Sequence, residues 1–137
     1  MNSARALIAG HGDFAAGLLS AVVQISGRDD VFVTLTNRGL SAQDVERTMR
    51  ETIDSQGIGV VFTDLPAGSC TMAARRLQRQ NPALVVVMGA NLATLLDFVF
   101  ASDDDTPPVA ARHAAEKGRA SLVVSEGAPS GGGTRGP

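Results

Sequence analysis

Short apolar runs rich in β-branched residues alternate along the chain with longer segments whose apolar residues recur at helical spacing. Such alternation is typical of an α/β fold in which helices cover both faces of a mostly parallel sheet. Right-handed crossovers then favour a doubly wound sheet with the strand order 2-1-3-4. The runs that predict strands are residues 4–10, 31–36, 58–63 and 83–88. The segments that predict helices are residues 14–26, 42–56, 69–80, a stretch after Asn91 and a shorter stretch that ends near Lys117.

The end of the chain carries one more apolar run, residues 121–124, before a tail rich in glycine, proline and serine. We expect the tail, residues 126–137, to be disordered, because it contains almost nothing to bury. The run itself predicts a C-terminal antiparallel strand, since otherwise it would be exposed and the fourth strand would be an unpaired edge. The sequence leaves open whether this strand pairs with its own sheet or with that of a second copy.

Length, charge and composition narrow the range of functions. The 137 residues suffice for a domain that buries a core without a metal or a disulfide. The net charge of −2 gives no reason to expect nucleic acid or an anionic membrane as a partner, and without Trp or Tyr few aromatic side chains could stack on bases. The single cysteine, the lack of a signal-peptide pattern and apolar runs too short to span a bilayer predict a cytoplasmic protein.

Two titratable side chains follow strands that the predicted order makes neighbours. His11 comes directly after the first strand, and Asp64 comes directly after the third. Because ligands of parallel sheets bind beyond the carboxyl ends of the strands, where the strand order reverses, we expect these side chains to face each other. Each is followed by a turn into a helix that contains a glycine, Gly12 or Gly68, and N–H groups at such helix starts suit a phosphate-like anion.

This pair of residues favours a phosphoryl carrier. A carboxylate that accepts the Nδ1 proton of an imidazole leaves the Nε2 lone pair free to attack a phosphoryl group, and it stabilises the charge that develops on the ring. Ser69 and nearby backbone N–H groups would hold the phosphoryl oxygens, so that the transfer consists mainly of positioning and electrostatics. No metal or cofactor is then required.

Three runs of sequence resemble one known family: AGHGDFAAGLLSAV at the first strand, VVFTDLPAGSCTMAARRL at the third and VVVMGANLATLLDFV at the fourth. Over roughly residues 4–124 they make the chain similar to the IIA component of the mannose/fructose/sorbose family of the bacterial sugar phosphotransferase system. The turn after the third strand departs from the usual pattern of this family at Ala67 and Cys70, where glycine and proline are common.

The resemblance implies a phosphotransferase whose domain spans residues 1–125 and which works through a phosphohistidine. His11 would take a phosphoryl group from the carrier HPr and pass it to a IIB component, while Asp64 orients the ring. The residues that would bind the phosphoryl group are Gly12, Gly68 and Ser69. The family also implies a homodimer that exchanges its C-terminal strand and reaches the membrane only indirectly, through the IIC/IID permease.

Two other functions remain open from the sequence. Residues 10–15 match the dinucleotide fingerprint G-x-G-x-x-[GA] after a strand, and Arg38 could take the 2′-phosphate of NADP, although the chain has no room for a second nucleotide-binding half. The other alternative is a non-catalytic regulatory protein that has kept the IIA fold. Among single residues, we expect Asp13 to cap a helix, His113 to be solvated and Cys70 to be a packing residue rather than a nucleophile.

Overall fold

The sheet has the predicted topology. Within residues 4–128, the part of the chain that this computed structural model describes, four strands pair in parallel. Their bounds are β1 (Ala6–Gly10), β2 (Phe32–Thr36), β3 (Val60–Thr63) and β4 (Val85–Met88). The order is β2-β1-β3-β4, which confirms the order predicted from the crossovers. The strand order therefore reverses between β1 and β3, and the carboxyl ends of these two strands lie side by side.

Helices cover the sheet on both faces, as the sequence predicts. Their bounds are α1 (Phe14–Ser26), α2 (Ala42–Gln56), α3 (Ser69–Gln80), α4 (Leu92–Val99) and α5 (Pro107–Ala120). One core lies between the sheet and α1, α4 and α5, and the other lies between the sheet and α2 and α3. Alternate residues of β1 enter the two cores, because successive side chains of a strand point to opposite faces.

Three phenylalanines form the centre of the first core. The rings of Phe32, Phe62 and Phe98 lie with their centroids 5.1 to 6.0 Å apart, and two of the three contacts are edge-to-face. Such contacts add about 0.5–1.5 kcal/mol per pair beyond the buried area. They join β2, β3 and α4 across the first core.

Helix α5 is longer than the sequence suggests and packs closely on α4. A Cβ at Gly118 would clash with the side chain of Thr94, so only glycine permits this approach. Asn91 caps α4 through a capping box with Thr94, and its side-chain amide also donates to the Gly118 carbonyl at 3.0 Å. The apolar pattern of α5 is weak because the buried face of this helix consists of alanine and glycine.

The expected C-terminal strand does not form within residues 4–128. The N–H groups of Ser121 and Leu122 still donate to carbonyls of the last helical turn, and residues 122–128 have no regular secondary structure. Because the backbone follows the helix where the strand was expected to begin, it does not return to its own sheet within the described residues. The side chains of Leu122, Val123 and Val124 are 84, 76 and 86 % exposed. Pairing with a second copy stays a prediction.

Of the tail expected to be disordered, residues 129–137 lie outside the described part of the chain. Across residues 4–128, none of the helices combines the length and the apolar character that crossing a bilayer requires.

Candidate functional site

His11 lies at the carboxyl end of β1, with its side chain half exposed. The turn that carries it is held from two sides: Phe14 donates its N–H to the His11 carbonyl at 3.0 Å, and Thr36 donates its hydroxyl to the Gly12 carbonyl at 2.9 Å. Gly12 has a positive φ of 54°, which glycine adopts without steric cost. The imidazole is therefore presented to solvent on a turn of fixed shape.

Asp64 lies against the imidazole of His11, as expected from the neighbouring ends of β1 and β3. Its Oδ2 lies 2.7 Å from His11 Nδ1 and also accepts the His11 backbone N–H at 2.8 Å. Since a carboxylate oxygen only accepts, Nδ1 of the neutral ring carries the proton, and the lone pair is on Nε2. Asp64 does not cap α3, because that helix has no side-chain cap and the described side-chain hydrogen bonds of Asp64 are with His11.

The environment of Asp64 keeps its carboxyl ionised. Burial opposes ionisation, but the hydrogen bonds from the His11 backbone and ring outweigh it and hold the pKa of Asp64 below its ordinary value, and a positive charge on the ring lowers that pKa further. Among the described residues, Oδ1 of Asp64 is a buried oxygen without a hydrogen-bond partner. Such an oxygen costs free energy, typically about 1–3 kcal/mol, which supports a functional rather than a structural reason for this residue.

The N-terminus of α3 lies against the imidazole. A Cβ at Gly68 would be 3.0 Å from His11 Cε1 and 3.6 Å from Nε2, and Gly68 has a φ of 108°, so glycine is required for both space and conformation. The first N–H groups of a helix have no partner within it and attract anions. Nε2, the nitrogen with the lone pair, therefore lies beside a suitable place for phosphoryl oxygens.

Ser69, the first residue of α3, is hydrogen-bonded to a residue that follows β2. Its Oγ accepts a hydrogen bond from the side-chain amide of Asn37 at 3.1 Å, so its own hydroxyl proton is available to another acceptor. Asn37 follows β2, and its N–H donates to the Gly10 carbonyl at 3.3 Å. The sequence reasoning missed Asn37, although the predicted order places the end of β2 next to that of β1.

A buried pair of hydroxyl groups, also missed, fixes the loop between β3 and α3. Thr71 Oγ1 lies 2.6 Å from the Leu65 carbonyl and 2.6 Å from Thr63 Oγ1. Both threonines are fully buried, and a buried hydroxyl is stable only when it is hydrogen-bonded. The contacts hold the backbone directly after Asp64 and so contribute to its position.

Cys70 is a buried packing residue, as expected. Burial, with the negative charge of Asp64, raises the pKa of its thiol to about 11. At neutral pH only about one molecule in 10⁴ would carry the thiolate, the form that reacts as a nucleophile. The thiol is therefore not the nucleophile of this site.

Two expectations for single residues need correction. Asp13 occupies the position before α1, but its side chain makes no capping hydrogen bond and instead pairs with Arg38. His113 is largely exposed, but it is not simply solvated, because its Nδ1 lies 2.7 Å from Oδ2 of Asp97 on α4. In both cases the partner comes from another part of the fold, which local sequence does not show.

The dinucleotide alternative needs open space over the first glycine of its fingerprint. A Cβ at Gly10 would lie 2.8 Å from Asp64 Oδ2, so the carboxylate occupies the region where a pyrophosphate would approach the backbone. Arg38, which would take the 2′-phosphate, pairs with Asp13. The geometry favours the His11 and Asp64 pair over a nucleotide site.

Comparison with known protein families gives a match over most of the chain. The family model described as the fructose IIA component of the phosphotransferase system matches residues 5–113. That span contains every residue of the site: His11, Gly12, Asp64, Gly68 and Ser69. No curated protein is similar enough in sequence to count as a match.

Solved structures share the fold at low sequence identity. The mannose/sorbose-specific IIA subunit from Enterococcus faecalis is 20 % identical, with a TM-score of 0.77 over 94 % of this chain and 98 % of its own. A IIA protein associated with the fucose utilization operon of Streptococcus pneumoniae is 24 % identical, with a TM-score of 0.76 over 90 % of this chain and 96 % of its own. A sigma-54 interaction domain protein from Enterococcus faecalis is 12 % identical, with a TM-score of 0.68 over 87 % and 93 %.

Proposed function

The chain belongs to the family of fructose IIA components of the phosphotransferase system, and we propose that Nε2 of His11 carries the phosphoryl group between HPr and a IIB component. The family supports a phosphoryl-carrier role in sugar uptake. The observation that supports His11 as the carrier is the 2.7 Å contact of Nδ1 with Asp64, which leaves Nε2 unprotonated beside the N-terminus of α3. In this proposal the chain works in the cytoplasm and meets the membrane only through the IIC/IID permease.

The proposed transfer is a displacement at phosphorus. The Nε2 lone pair forms a bond to the phosphorus of phospho-HPr while the bond to the donor nitrogen breaks and its electron pair returns to the donor. The proton on Nδ1 stays in place, so the phosphorylated ring is cationic and its charge faces the Asp64 carboxylate. In the second step the phosphoryl group passes to the acceptor side chain of the IIB component, and the lone pair returns to Nε2.

The phosphoryl oxygens need donors on the side of Nε2. We assign this role to the backbone N–H groups at Gly68 and Ser69, to the Ser69 hydroxyl and to the backbone at Gly12. Because these donors are fixed before the reaction, the transfer requires little reorganisation. The reaction as written needs no metal or cofactor.

Phosphoryl uptake tests the function directly. With phosphoenolpyruvate, enzyme I and HPr, the intact mass of the protein should rise by one phosphoryl unit, and acid should remove it. Omission of HPr should prevent the increase. A protein that stays unphosphorylated under conditions that phosphorylate a known IIA component would contradict the proposal and favour the regulatory alternative.

The exposed end of the chain supports a homodimer. Strand β4 is at the edge of the described sheet, and a groove of about 400 Å³ runs between it and α5. Leu122 lines this groove, and with Val123 and Val124 it forms an exposed apolar run. Such a run beside an unpaired edge is prone to pair with another chain. We therefore propose that the run of one copy pairs with β4 of the other, in a closed two-fold dimer.

Truncation tests this arrangement. Ending the chain at Ser121 keeps α5 and the hydrogen bond from the Ser121 N–H to the Lys117 carbonyl but removes the apolar run, so light scattering should change from the mass of a dimer to that of a monomer. Val123→Asp should act in the same direction, because it places a charge in the paired strand. A full-length protein that is monomeric at micromolar concentration would refute the dimer. A folded, truncated dimer would show that the run does not hold it together.

A further inference from the structure

An exposed ion pair lies beside the turn that carries His11. Arg38 Nη1 is 3.1 Å from Asp13 Oδ1, and the two side chains are 62 and 82 % exposed. The other guanidinium nitrogen, Nη2, would be 3.3 Å from a Cβ at Gly12, the residue that follows His11. An ion pair this exposed contributes little to stability, about 0–1 kcal/mol, so its place on the molecule is more informative than its strength.

The backbone of Arg38 is hydrogen-bonded to this turn, while its side chain is mostly exposed. The Arg38 N–H donates to Thr36 Oγ1 at 3.1 Å, and the same hydroxyl donates to the Gly12 carbonyl at 2.9 Å. Asn37, the preceding residue, donates its N–H to the Gly10 carbonyl. The base of the arginine is therefore held next to the His11 turn, and the pair with Asp13 is easily exchanged for another partner.

Phosphorylation would change the charge at this place. A phosphoryl group brings a charge of about −1.5 to −2 at neutral pH and three strong acceptor oxygens. Asp64 and Asp13 already carry negative charge on either side of the His11 turn. A guanidinium pairs with phosphate oxygens through two parallel hydrogen bonds, and the greater charge of the phosphoryl group makes it a stronger partner than a single exposed carboxylate.

We propose that Arg38 binds the phosphoryl oxygens on His11, and that Asp13 holds Arg38 when the phosphoryl group is absent. This inference rests on the proposed carrier function of His11. Competition between Asp13 and the phosphoryl group limits how strongly Arg38 stabilises the phosphorylated form. The chain can then accept the group from one partner without holding it too tightly to release it to the next.

The test compares the equilibrium of phosphoryl exchange with HPr among variants. In Arg38→Gln the equilibrium constant for transfer from phospho-HPr to the protein should fall about three- to tenfold, as expected for one charge-assisted contact at an exposed site. By ³¹P NMR, the second ionisation of the phosphoryl group should occur at higher pH than in the wild type, because a cation near the dianion is lost. Arg47→Gln is the matched control, since Arg47 is an equally exposed arginine that pairs with Asp44 at 2.8 Å on α2.

Asp13→Asn should act in the opposite direction and raise the same equilibrium constant, because Arg38 loses its competing partner. If Asp13 acts through Arg38, the increase caused by Asp13→Asn should be smaller when it is added to Arg38→Gln than when it is added to the wild type. An equilibrium constant and a ³¹P titration of Arg38→Gln that match those of the wild type would overturn the inference while the carrier function stands. An Arg47→Gln variant that shifts as far as Arg38→Gln would also overturn it, since net charge alone would then explain the result. Failure of the wild type to accept a phosphoryl group would refute the carrier function itself.

Discussion

Replacing His11 with alanine is expected to abolish phosphoryl uptake from phospho-HPr, with no detectable increase in intact mass. In the proposed mechanism this side chain supplies the nitrogen that forms the bond to phosphorus, so its removal leaves no atom to carry the phosphoryl group. The substitution should leave the fold intact, because the imidazole is half exposed and its main contact is with Asp64. Circular dichroism and thermal unfolding of the variant should therefore resemble those of the wild type.

The chain contains a matched control for this variant. His113 also has its Nδ1 2.7 Å from a carboxylate, that of Asp97, and its side chain is similarly exposed. His113 lies within α5, whereas His11 follows β1 at the point where the strand order reverses. His113→Ala should accept the phosphoryl group as the wild type does. Uptake by His11→Ala, or its loss in His113→Ala alone, would contradict the assignment of the phosphorylated residue.

The fold and the centre of the site could be predicted because few topologies fit the pattern of elements. Alternating strands and helices require parallel pairing, and right-handed crossovers favour the order that the structure has. That order brings the residues after the first and third strands together. The proximity of His11 and Asp64, seen as the 2.7 Å contact, therefore follows from the strand order, and the strand order can be predicted from one sequence.

The remainder depends on contacts between distant segments that have no local signal. Asn37 and Arg38 lie in an ordinary polar turn, and their partners Ser69 and Asp13 are recognised only once the loops are placed. For the apolar run after α5, a local signal is present but predicts the wrong structure. Its composition predicts a strand, but strand formation needs an edge within reach, and the helix continues to the start of the run. Burial patterns identify what must be covered and leave open which segment covers it.

Asp64→Asn is expected to slow the transfer from phospho-HPr by about 10²–10⁴-fold, with the aspartate of serine proteases as the upper guide. In the proposed mechanism the phosphorylated ring is cationic, and the variant removes the negative charge that faces it. The geometry restricts how asparagine could compensate. Because the His11 backbone N–H and the Nδ1–H both point to Oδ2, the amide must present its oxygen there. Its NH₂ group then takes the buried position of Oδ1, which has no partner among the described residues.

Two measurements separate this role from a structural one. Rapid-quench single-turnover kinetics give the rate of transfer, and ¹⁵N NMR of the imidazole shows whether Nδ1 still carries the proton. We expect a slow transfer whether the tautomer is kept or lost, since the charge is absent in both cases. Asp97→Asn, which removes the carboxylate partner of His113, is the matched control and should transfer at the wild-type rate. An Asp64→Asn protein that transfers at the wild-type rate would reduce Asp64 to a residue that only holds the His11 turn, because the backbone N–H bond alone would then account for its presence.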